Sequence, residues 1–512
     1  MKADYAQEFF NTDHLQSDLR GRAVRGAGAA IFAKVAIYGI NMISVVILAR
    51  LLAPEDFGLV TMVTAPCMLL MDFGNMGLTD ATIQSQEINQ KQISTLFWIN
   101  TMLSLSFSVL LIGLAPVFVW FYNEPRLKSI TIAFSVALIS SGLSGQHLGL
   151  LKRNMRFFAI TVNEIIAAIT SVVIAVVLAL HGYKYWALVG RQVSLSLAIT
   201  AGSWILCRWR PSLPGFGTGI GTMLRFGTNL LAHNTIYYFS KNLDKVLLGR
   251  RYGTQPLAYY DRAYHLFVMP VNQLGFPLTS VAVATLSRLR DDLERYRRYF
   301  LNALSILALL GMLVSAIITL TAKDLVFLLL GRQWGEAGQI LSLFAPAIGV
   351  MLLYVSTGWL HLSIGRSDRL LRFGIISVIV TVLFIVMGLP FGPLGVAIAY
   401  GVSFYVLVVP SLWYAARPVN LKLPAMLSVI WKPYVSALCA GLLSWFVLYS
   451  AEVTSNIFAS FNIFVRIIVC AIVCICIYVL LIIILYRGTK SLLQFLAVFR
   501  DMTPSMSIKK VG

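Results

Sequence analysis

The sequence predicts an all-α protein that crosses a membrane about fourteen times. Of its 512 residues, 58% are hydrophobic and only 12% are charged, whereas a typical soluble domain carries about 25% charged residues. The apolar residues occur in runs near twenty long, the length at which a helix spans the hydrocarbon core of a bilayer. The connections between these runs are short and often contain Pro or Gly, as in LPFGPLG. None is long enough for a folded soluble domain.

Each apolar run is predicted as one membrane helix, read from length, hydrophobicity and turn signals. The fourteen predicted spans lie near residues 28–50, 58–79, 93–121, 129–150, 158–180, 185–206, 222–248, 257–285, 300–322, 338–364, 371–390, 393–414, 433–450 and 461–486.

Lysine and arginine are distributed unevenly between the two sides that this topology defines. The side that holds both termini carries 26 of these cations, and the opposite loops carry eight. Cytoplasmic loops are enriched in Lys and Arg, so both termini are predicted to be cytoplasmic. The net charge of +20 is therefore explained by membrane topology, and we do not expect a nucleic-acid partner.

A weak internal repeat suggests two halves of six spans each, followed by two extra spans. VILARLLAPEDFGLV at 46–60 resembles VLLGRRYGTQPLAYY at 246–260, and the same offset of 200 pairs the first span with the seventh. Internal repeats are common in secondary transporters. The predicted organisation is an N-terminal bundle at 1–206, a cytoplasmic linker at 207–221, a C-terminal bundle at 222–414, two additional helices at 433–486 and a basic cytoplasmic tail at 487–512.

The seventh span is unusual because it holds Arg225, His233, Lys241, Asp244 and Lys245. A charge at the bilayer centre costs roughly 2.5–3.5 kcal/mol on insertion scales. At 100° per residue, most polar residues of this span share one half of the helix. Exposing the charged side chains of that half to lipid would cost too much free energy. This half is therefore predicted to line an aqueous cavity or a polar helix contact.

A purely structural reading explains part of this pattern. Lys241 and Asp244 stand at i, i+3 and can neutralise each other, while Arg225 and Lys245 can reach the interface from the ends of the span. His233 on its own reads as a neutral core residue or as a titrating group.

Lys34, Arg191 and Arg262 are three further cations within other predicted spans. Together with the seventh span they favour a shared positive cavity, which suits an anionic ligand. Asp244 and Lys245 are predicted to form an ion pair or to take part in coupling. The predicted substrate-binding residues are Lys34, Arg191, Arg225, His233, Lys241 and Arg262.

No motif indicates catalysis, a metal centre or a cofactor. The sequence lacks a P-loop, an H-E-x-x-H zinc motif and a nucleophile elbow. The six cysteines lie mostly in apolar runs without neighbouring His or carboxylate, and they are read as small hydrophobes. Five tyrosines near the seventh and eighth spans favour an interfacial aromatic belt, with stacking on sugar rings as the alternative. They are Tyr237, Tyr238, Tyr259, Tyr260 and Tyr264.

Residues 50–84 resemble the first helical hairpin of the polysaccharide-transporter (Wzx-type) family within the multidrug/oligosaccharidyl-lipid/polysaccharide exporter superfamily. The family pattern is roughly R-x-L-x-P-x-D-F-G-L, then a small-residue helix, then G-L-x-x-A-x-I-Q. The matching residues are Arg50, Leu52, Pro54, Asp56, Phe57, Gly58, Leu59, Gly77, Leu78, Ala81, Ile83 and Gln84.

A second stretch, NLDKVLLGRRYGTQPLAYYDRAY at 242–264, is similar to another pattern of the same family. The chain departs from the family patterns at three positions. Asn75 stands where an acid is frequent, Leu248 replaces Ile and Ala258 replaces Gly. The matching residues are Asn242, Asp244, Leu247, Gly249, Gly253, Leu257, Tyr260 and Ala263.

The resemblance implies a flippase for undecaprenyl-diphosphate-linked oligosaccharides in the bacterial cytoplasmic membrane, close to the exopolysaccharide and colanic-acid exporters. Its fold would be two six-helix bundles in a V-shaped arrangement around a central cavity, plus two C-terminal helices. Alternating access would be coupled to a proton or Na⁺ gradient or to membrane potential. Its partners would be the lipid-linked glycan and the bilayer, with a polysaccharide polymerase and a chain-length regulator as further candidates.

Two other classes compete with this interpretation. A drug or cation antiporter of the same superfamily should have an acidic cavity, whereas the intramembrane charges here are mostly positive. A membrane polysaccharide polymerase or lipid-linked glycosyltransferase should carry a large outer loop with catalytic residues, and the sequence has no such loop. We therefore expect a transporter and not an enzyme.

Overall fold

The computed structural model of the chain describes residues 19–75, 78–85, 88–215, 242–450, 458 and 460–487. Across these residues the chain is helical and contains no β-strand. Contacts divide it into two compact units, Met1–Ala258 and Tyr259–Gly512, here called the N-unit and the C-unit. The predicted bundle boundaries at 206 and 222 remain a prediction.

The described residues of the N-unit form eight helices and the start of a ninth. They are α1 Leu19–Leu51, α2 Pro54–Asn75, α3 Leu78–Gln84, α4 Gln90–Tyr122, α5 Leu127–Arg153, α6 Phe157–Leu180, α7 Trp186–Cys207, α8 at 242–252 and the first residues of α9, Thr254–Arg288.

The described residues of the C-unit form the rest of α9 and seven further helices, joined in places by short 3₁₀ turns. The helices are α10 Leu293–Leu330, α11 Gly335–Phe344, α12 Ile348–Ser363, α13 Ser367–Gly388, α14 Gly392–Ala416, α15 Leu423–Trp445 and α16 Ile463–Tyr486.

The predicted fold class, an all-α polytopic membrane protein, is confirmed. Ten helical runs of the described chain are long and apolar enough to cross a bilayer. One of them, Ser367–Val419, covers two predicted spans, which meet at the 3₁₀ turn Leu389–Phe391. The predicted spans at 58–79 and 185–206 are also largely helical. Of the predicted span at 222–248, the structure describes only the end.

A cluster of aromatic side chains holds one end of the N-unit together. Its core at one end packs Phe97 against Trp209 and against His147, which stacks on Trp204 at 4.4 Å. The start of the predicted linker lies against this end. Trp209 donates to the Gln90 side chain at 2.6 Å, and the described part of the linker, 208–215, thereby docks on the first turns of α4.

The two segments of the internal repeat both break their helices at equivalent positions. The α1–α2 break falls at 52–53 and the α8–α9 break at Gly253, which has a φ of +81° that favours glycine. The segments touch each other, since a Cβ on Gly58 would lie 1.9 Å from the Thr254 carbonyl oxygen. Only glycine allows this approach of two backbones.

The C-unit is organised around α10, which packs against α11, α12, α15 and α16. Glycine again permits close approach, because a Cβ on Gly349 would lie 3.0 Å from the Gly311 backbone of α10. Small residues at helix contacts are the usual way in which membrane helices maximise van der Waals packing. This packing fixes α15 and α16, the two C-terminal helices, against the unit's central helix.

Replacing Gly58 by Ala should destabilise the N-unit. The added methyl group collides with the Thr254 carbonyl, and overpacking of this kind costs roughly 1–3 kcal/mol. The midpoint of thermal unfolding of the purified protein in detergent measures the effect. Gly39→Ala is the matched control, because nothing lies within 4 Å of a Cβ at that position. Equal midpoints for the two variants would contradict the close approach of α2 and α9.

Candidate functional site

Arg191 and Lys34, two predicted substrate-binding residues, are placed around one helix of the N-unit. Arg191 of α7 donates from Nη2 to Oδ1 of Asn41 on α1 at 2.5 Å. Lys34 lies two turns before Asn41 on α1, about 10 Å along the helix axis and on nearly the same face. Lys34 is exposed and Arg191 is half-buried. The structure thus brings two of the six predicted cavity residues to one side of α1.

A carboxylate accompanies this pair of cations. Glu164 of α6 is half-buried and is electrostatically coupled to Lys34 and to Lys152 at the end of α5. The helices α1 and α6 pack directly on each other, which explains how residues so distant in sequence interact. We call Lys34, Asn41, Glu164 and Arg191 the α1 polar face.

The charged pair of α8 occupies a different environment in the same unit. Asp244 is buried, with 1% of its surface exposed, whereas Lys245 is half-buried. An oxygen of the Asp244 carboxylate accepts a hydrogen bond from the Lys245 backbone N–H at 2.8 Å. Leu248, one turn after Asp244 on α8, is buried as well. The predicted ion pair or coupling role of these residues remains a prediction.

Arg262, the third predicted cavity residue that the structure describes, lies in the C-unit. Its Nη2 forms an ion pair with Oδ2 of the neighbouring Asp261 at 2.9 Å, and the side chains are 17% and 3% exposed. His265, one turn later, lies 3.6 Å from the other Asp261 oxygen. Asp261 is thus a buried carboxylate with an arginine and a histidine beside it.

The predicted residues Arg225, His233 and Lys241 lie outside the described residues. Among the described residues, the structure supplies the α1 polar face and the buried Asp244 in the N-unit and the Asp261–Arg262 pair in the C-unit.

The prediction of an interfacial belt for Tyr259, Tyr260 and Tyr264 is wrong. All three are buried, between 0% and 8% exposed. Tyr264 places its hydroxyl 3.2 Å from that of Tyr400, and its ring packs on Phe344. The first turns of α9 are buried by α11 and α14, a tertiary contact that a local pattern cannot reveal. Tyr237 and Tyr238 lie outside the described residues.

The first family motif also holds structural contacts that the sequence did not predict. Asp56 lies in the first turn of α2, and its carboxylate accepts a hydrogen bond from the Ala53 N–H at 3.2 Å. Arg126 forms ion pairs with Glu55 at 2.5 Å and with Glu124 at 2.8 Å. The Arg126 hydrogen bond lowers the pKa of the Glu124 carboxyl, in the α4–α5 connection, below its usual value. These contacts fix the α1–α2 break to the α4–α5 connection.

A second unpredicted ion pair lies in the C-unit. Arg466 of α16 contacts Asp324 of α10 at 3.1 Å, and its guanidinium also lies over the Phe458 ring. Arg466 falls within the last predicted span, at 461–486, whereas nothing in the sequence marks Asp324 as its partner. Among the described residues, no group of three His, Cys, Asp or Glu side chains is placed to hold a metal ion.

The chain is similar to curated proteins of known name, among them two from polysaccharide biosynthesis. The chain is 24% identical over 428 residues to the lipopolysaccharide biosynthesis protein WzxC of Escherichia coli, covering 80% of this chain and 86% of the relative. It is 24% identical over 328 residues to the succinoglycan biosynthesis transport protein ExoT of Rhizobium meliloti, covering 64% and 66%.

A solved structure shares the fold. The lipid II flippase MurJ in an inward closed conformation matches with a TM-score of 0.70 at 14% sequence identity, covering 91% of this chain and 99% of that one. At this identity the match shows the architecture and does not assign a substrate.

The family assignment rests on the sequence itself. Residues 47–339, more than half of the chain, match the family described as polysaccharide biosynthesis protein. This region contains both motifs on which the Wzx-type resemblance was based, and the resemblance is confirmed. The chain therefore belongs to the polysaccharide biosynthesis protein family of membrane transporters.

Proposed function

We propose that the chain is a flippase that moves polyprenyl-diphosphate-linked oligosaccharide repeat units across the bacterial cytoplasmic membrane, with both termini in the cytoplasm. The support is the family match, the relatives named for lipopolysaccharide biosynthesis and succinoglycan transport, and the fold shared with a lipid flippase. The α1 polar face is the observation that links the proposed function to particular residues.

The chemistry of such a substrate explains why a membrane helix would carry these residues. A diphosphate and a string of hydroxyl groups cannot cross hydrocarbon unaided, because each unpartnered polar group costs several kcal/mol there. A hydrophilic face on α1 offers cations to the phosphates while the polyprenyl tail stays in lipid. Arginine can bind phosphate with two parallel hydrogen bonds, and lysine acts as a point charge.

The geometry gives Arg191 and Lys34 different parts in this proposal. The hydrogen bond from Arg191 to Asn41 holds the guanidinium against α1, so its position is set before the substrate binds. Lys34 is exposed on the same helix and reaches its ligand with a flexible side chain. Together they provide one ordered and one mobile cation, separated by about two helical turns.

Arg262 receives a different role from the one that the sequence suggested. Because it is bound to the adjacent, buried Asp261, we assign it to the structure of the C-unit and not to the substrate. The transport step itself is proposed to follow alternating access, in which the two halves of the fold expose the site to each side in turn.

Replacing both cations of the α1 polar face, as Lys34→Gln/Arg191→Gln, should reduce export about tenfold or more. Each lost charge-assisted hydrogen bond is worth roughly 1.5–3 kcal/mol, and about 1.4 kcal/mol corresponds to a factor of ten. Surface polysaccharide in a strain that depends on this chain is the measure. Lipid-linked repeat units should accumulate on the cytoplasmic face.

The control for that experiment is Lys91→Gln/Lys128→Gln, which removes two exposed lysines from helix ends. It should export at the wild-type level. Normal export by the Lys34→Gln/Arg191→Gln variant at equal expression would contradict the role of the α1 polar face. Accumulation of repeat units on the outer face would instead indicate a polymerase and overturn the proposed function.

The structural role of Arg262 predicts a recovery of stability in a double variant. Arg262→Gln leaves the buried Asp261 carboxylate without its arginine, and breaking a buried ion pair on one side is strongly destabilising. Asp261→Asn/Arg262→Gln removes both charges and should unfold at a higher temperature than Arg262→Gln alone. Thermal unfolding in detergent checks this. If the double variant is the less stable of the two, the pair does not have the role assigned here.

A further inference from the structure

A cavity of about 470 Å³ lies within the C-unit, between α10, α15 and α16. Its volume falls in the range of ordinary small-molecule sites, which is roughly 300–1,000 Å³. The residues that line it come from helices whose mutual packing has been described above, and none of them belongs to the α1 polar face. The cavity and the α1 polar face therefore have no residue in common.

The cavity has a charged end and an apolar body. Lys323, Asp324 and Arg466 stand at one end, where Asp324 and Arg466 are paired at 3.1 Å and Lys323 is exposed. With one acid and two bases this end carries a net positive charge. The body is lined mainly by apolar side chains, which include Met312, Ala316, Leu320, Ala437, Leu438, Gly441, Leu442 and Trp445.

The length of the cavity matches one leaflet of a bilayer. Its lining on α10 runs from Met312 to Asp324, which is about 18 Å at 1.5 Å per residue. Half of a hydrocarbon core is about 15 Å thick. With both termini in the cytoplasm, as proposed above, Lys323 lies on the side opposite the cytoplasm, and the charged end lies at the level of the outer headgroups.

The cavity opens on the outside of the unit. Leu442 and Trp445 of α15 line it and are 66% and 52% exposed, on a helix that is long and apolar enough to span the membrane. Polar groups lie along the wall near the charged end, among them the Tyr449 and Thr319 side chains. The arrangement suits an elongated amphiphile that enters from lipid and not a compact polar solute.

We propose that this cavity binds one anionic phospholipid of the outer leaflet, with an acyl chain along α10 and α15 and the phosphate at Lys323 and Arg466. Apolar contact alone gives little preference over bulk lipid, because lipid tails are as apolar as the cavity wall. Selection must therefore come from the headgroup. The positive end favours a net negative lipid, and Asp324 disfavours a second negative charge beside Arg466. The bound lipid would hold α16 against α10.

Native mass spectrometry of the purified full-length chain tests the proposal. We expect one phosphatidylglycerol to bind about fivefold more tightly than phosphatidylcholine with the same acyl chains. This is the difference in affinity that one basic residue near an anionic headgroup contributes. Glycerol 3-phosphate, which has the headgroup chemistry without chains, should not bind measurably. Equal binding of the two phospholipids, or binding of glycerol 3-phosphate as tight as that of phosphatidylglycerol, would overturn the assignment.

Two variants locate the site. Lys323→Gln changes an exposed residue and should abolish the preference for phosphatidylglycerol, whereas Lys128→Gln, an exposed lysine of the N-unit, should keep it. Gly441→Leu should fill the cavity and remove the bound lipid, since a Cβ at this position meets only Ala316 at 4.0 Å. An unchanged preference in Lys323→Gln contradicts the proposal even if Gly441→Leu fails to fold. Stronger binding of a polyprenyl phosphate than of phosphatidylglycerol would assign the cavity to the carrier lipid and also overturn it.

Discussion

A charge inside an apolar bilayer must be paired, hydrated or moved to the interface, and this constraint explains most of the polar contacts described here. Arg262 lies against Asp261, Arg466 against Asp324, and Arg191 against the amide of Asn41. Each contact satisfies a group that lipid could not satisfy. The α1 polar face combines an ordered arginine with an exposed lysine, and the proposed function places the substrate's phosphates there.

The same constraint gives the family motifs a physical meaning. Residues 50–59 and 242–264 form the two helix breaks and the contact between Gly58 and Thr254. A break inside a membrane helix exposes backbone groups that need partners, and Asp56 supplies one by accepting from Ala53. The contacts described for these residues build a junction in the fold.

The fold was readable from the sequence because bilayer thickness fixes the length of each apolar run. The contacts between helices could not be predicted from the sequence, because they depend on which helix faces pack against each other. Arg191 and Asn41 are 150 residues apart, and nothing local marks them as partners. The Asp261–Arg262 pair is local, but an aqueous cavity and a buried ion pair have the same signature in sequence. Tyr260 was misread because burial by α11 and α14 is invisible in a helix-end pattern.

The central claim is that the cations of the α1 polar face meet water and the phosphorylated head of a lipid carrier. The most direct measurement is modification of Lys34→Cys and Arg191→Cys, each in a chain without its native cysteines, by a membrane-impermeant thiol reagent in sealed vesicles. The account predicts that both positions react and that a polyprenyl-diphosphate-linked oligosaccharide protects them, while a neutral polyprenol does not. Failure of both positions to react, or reaction that the substrate leaves unchanged, would contradict it.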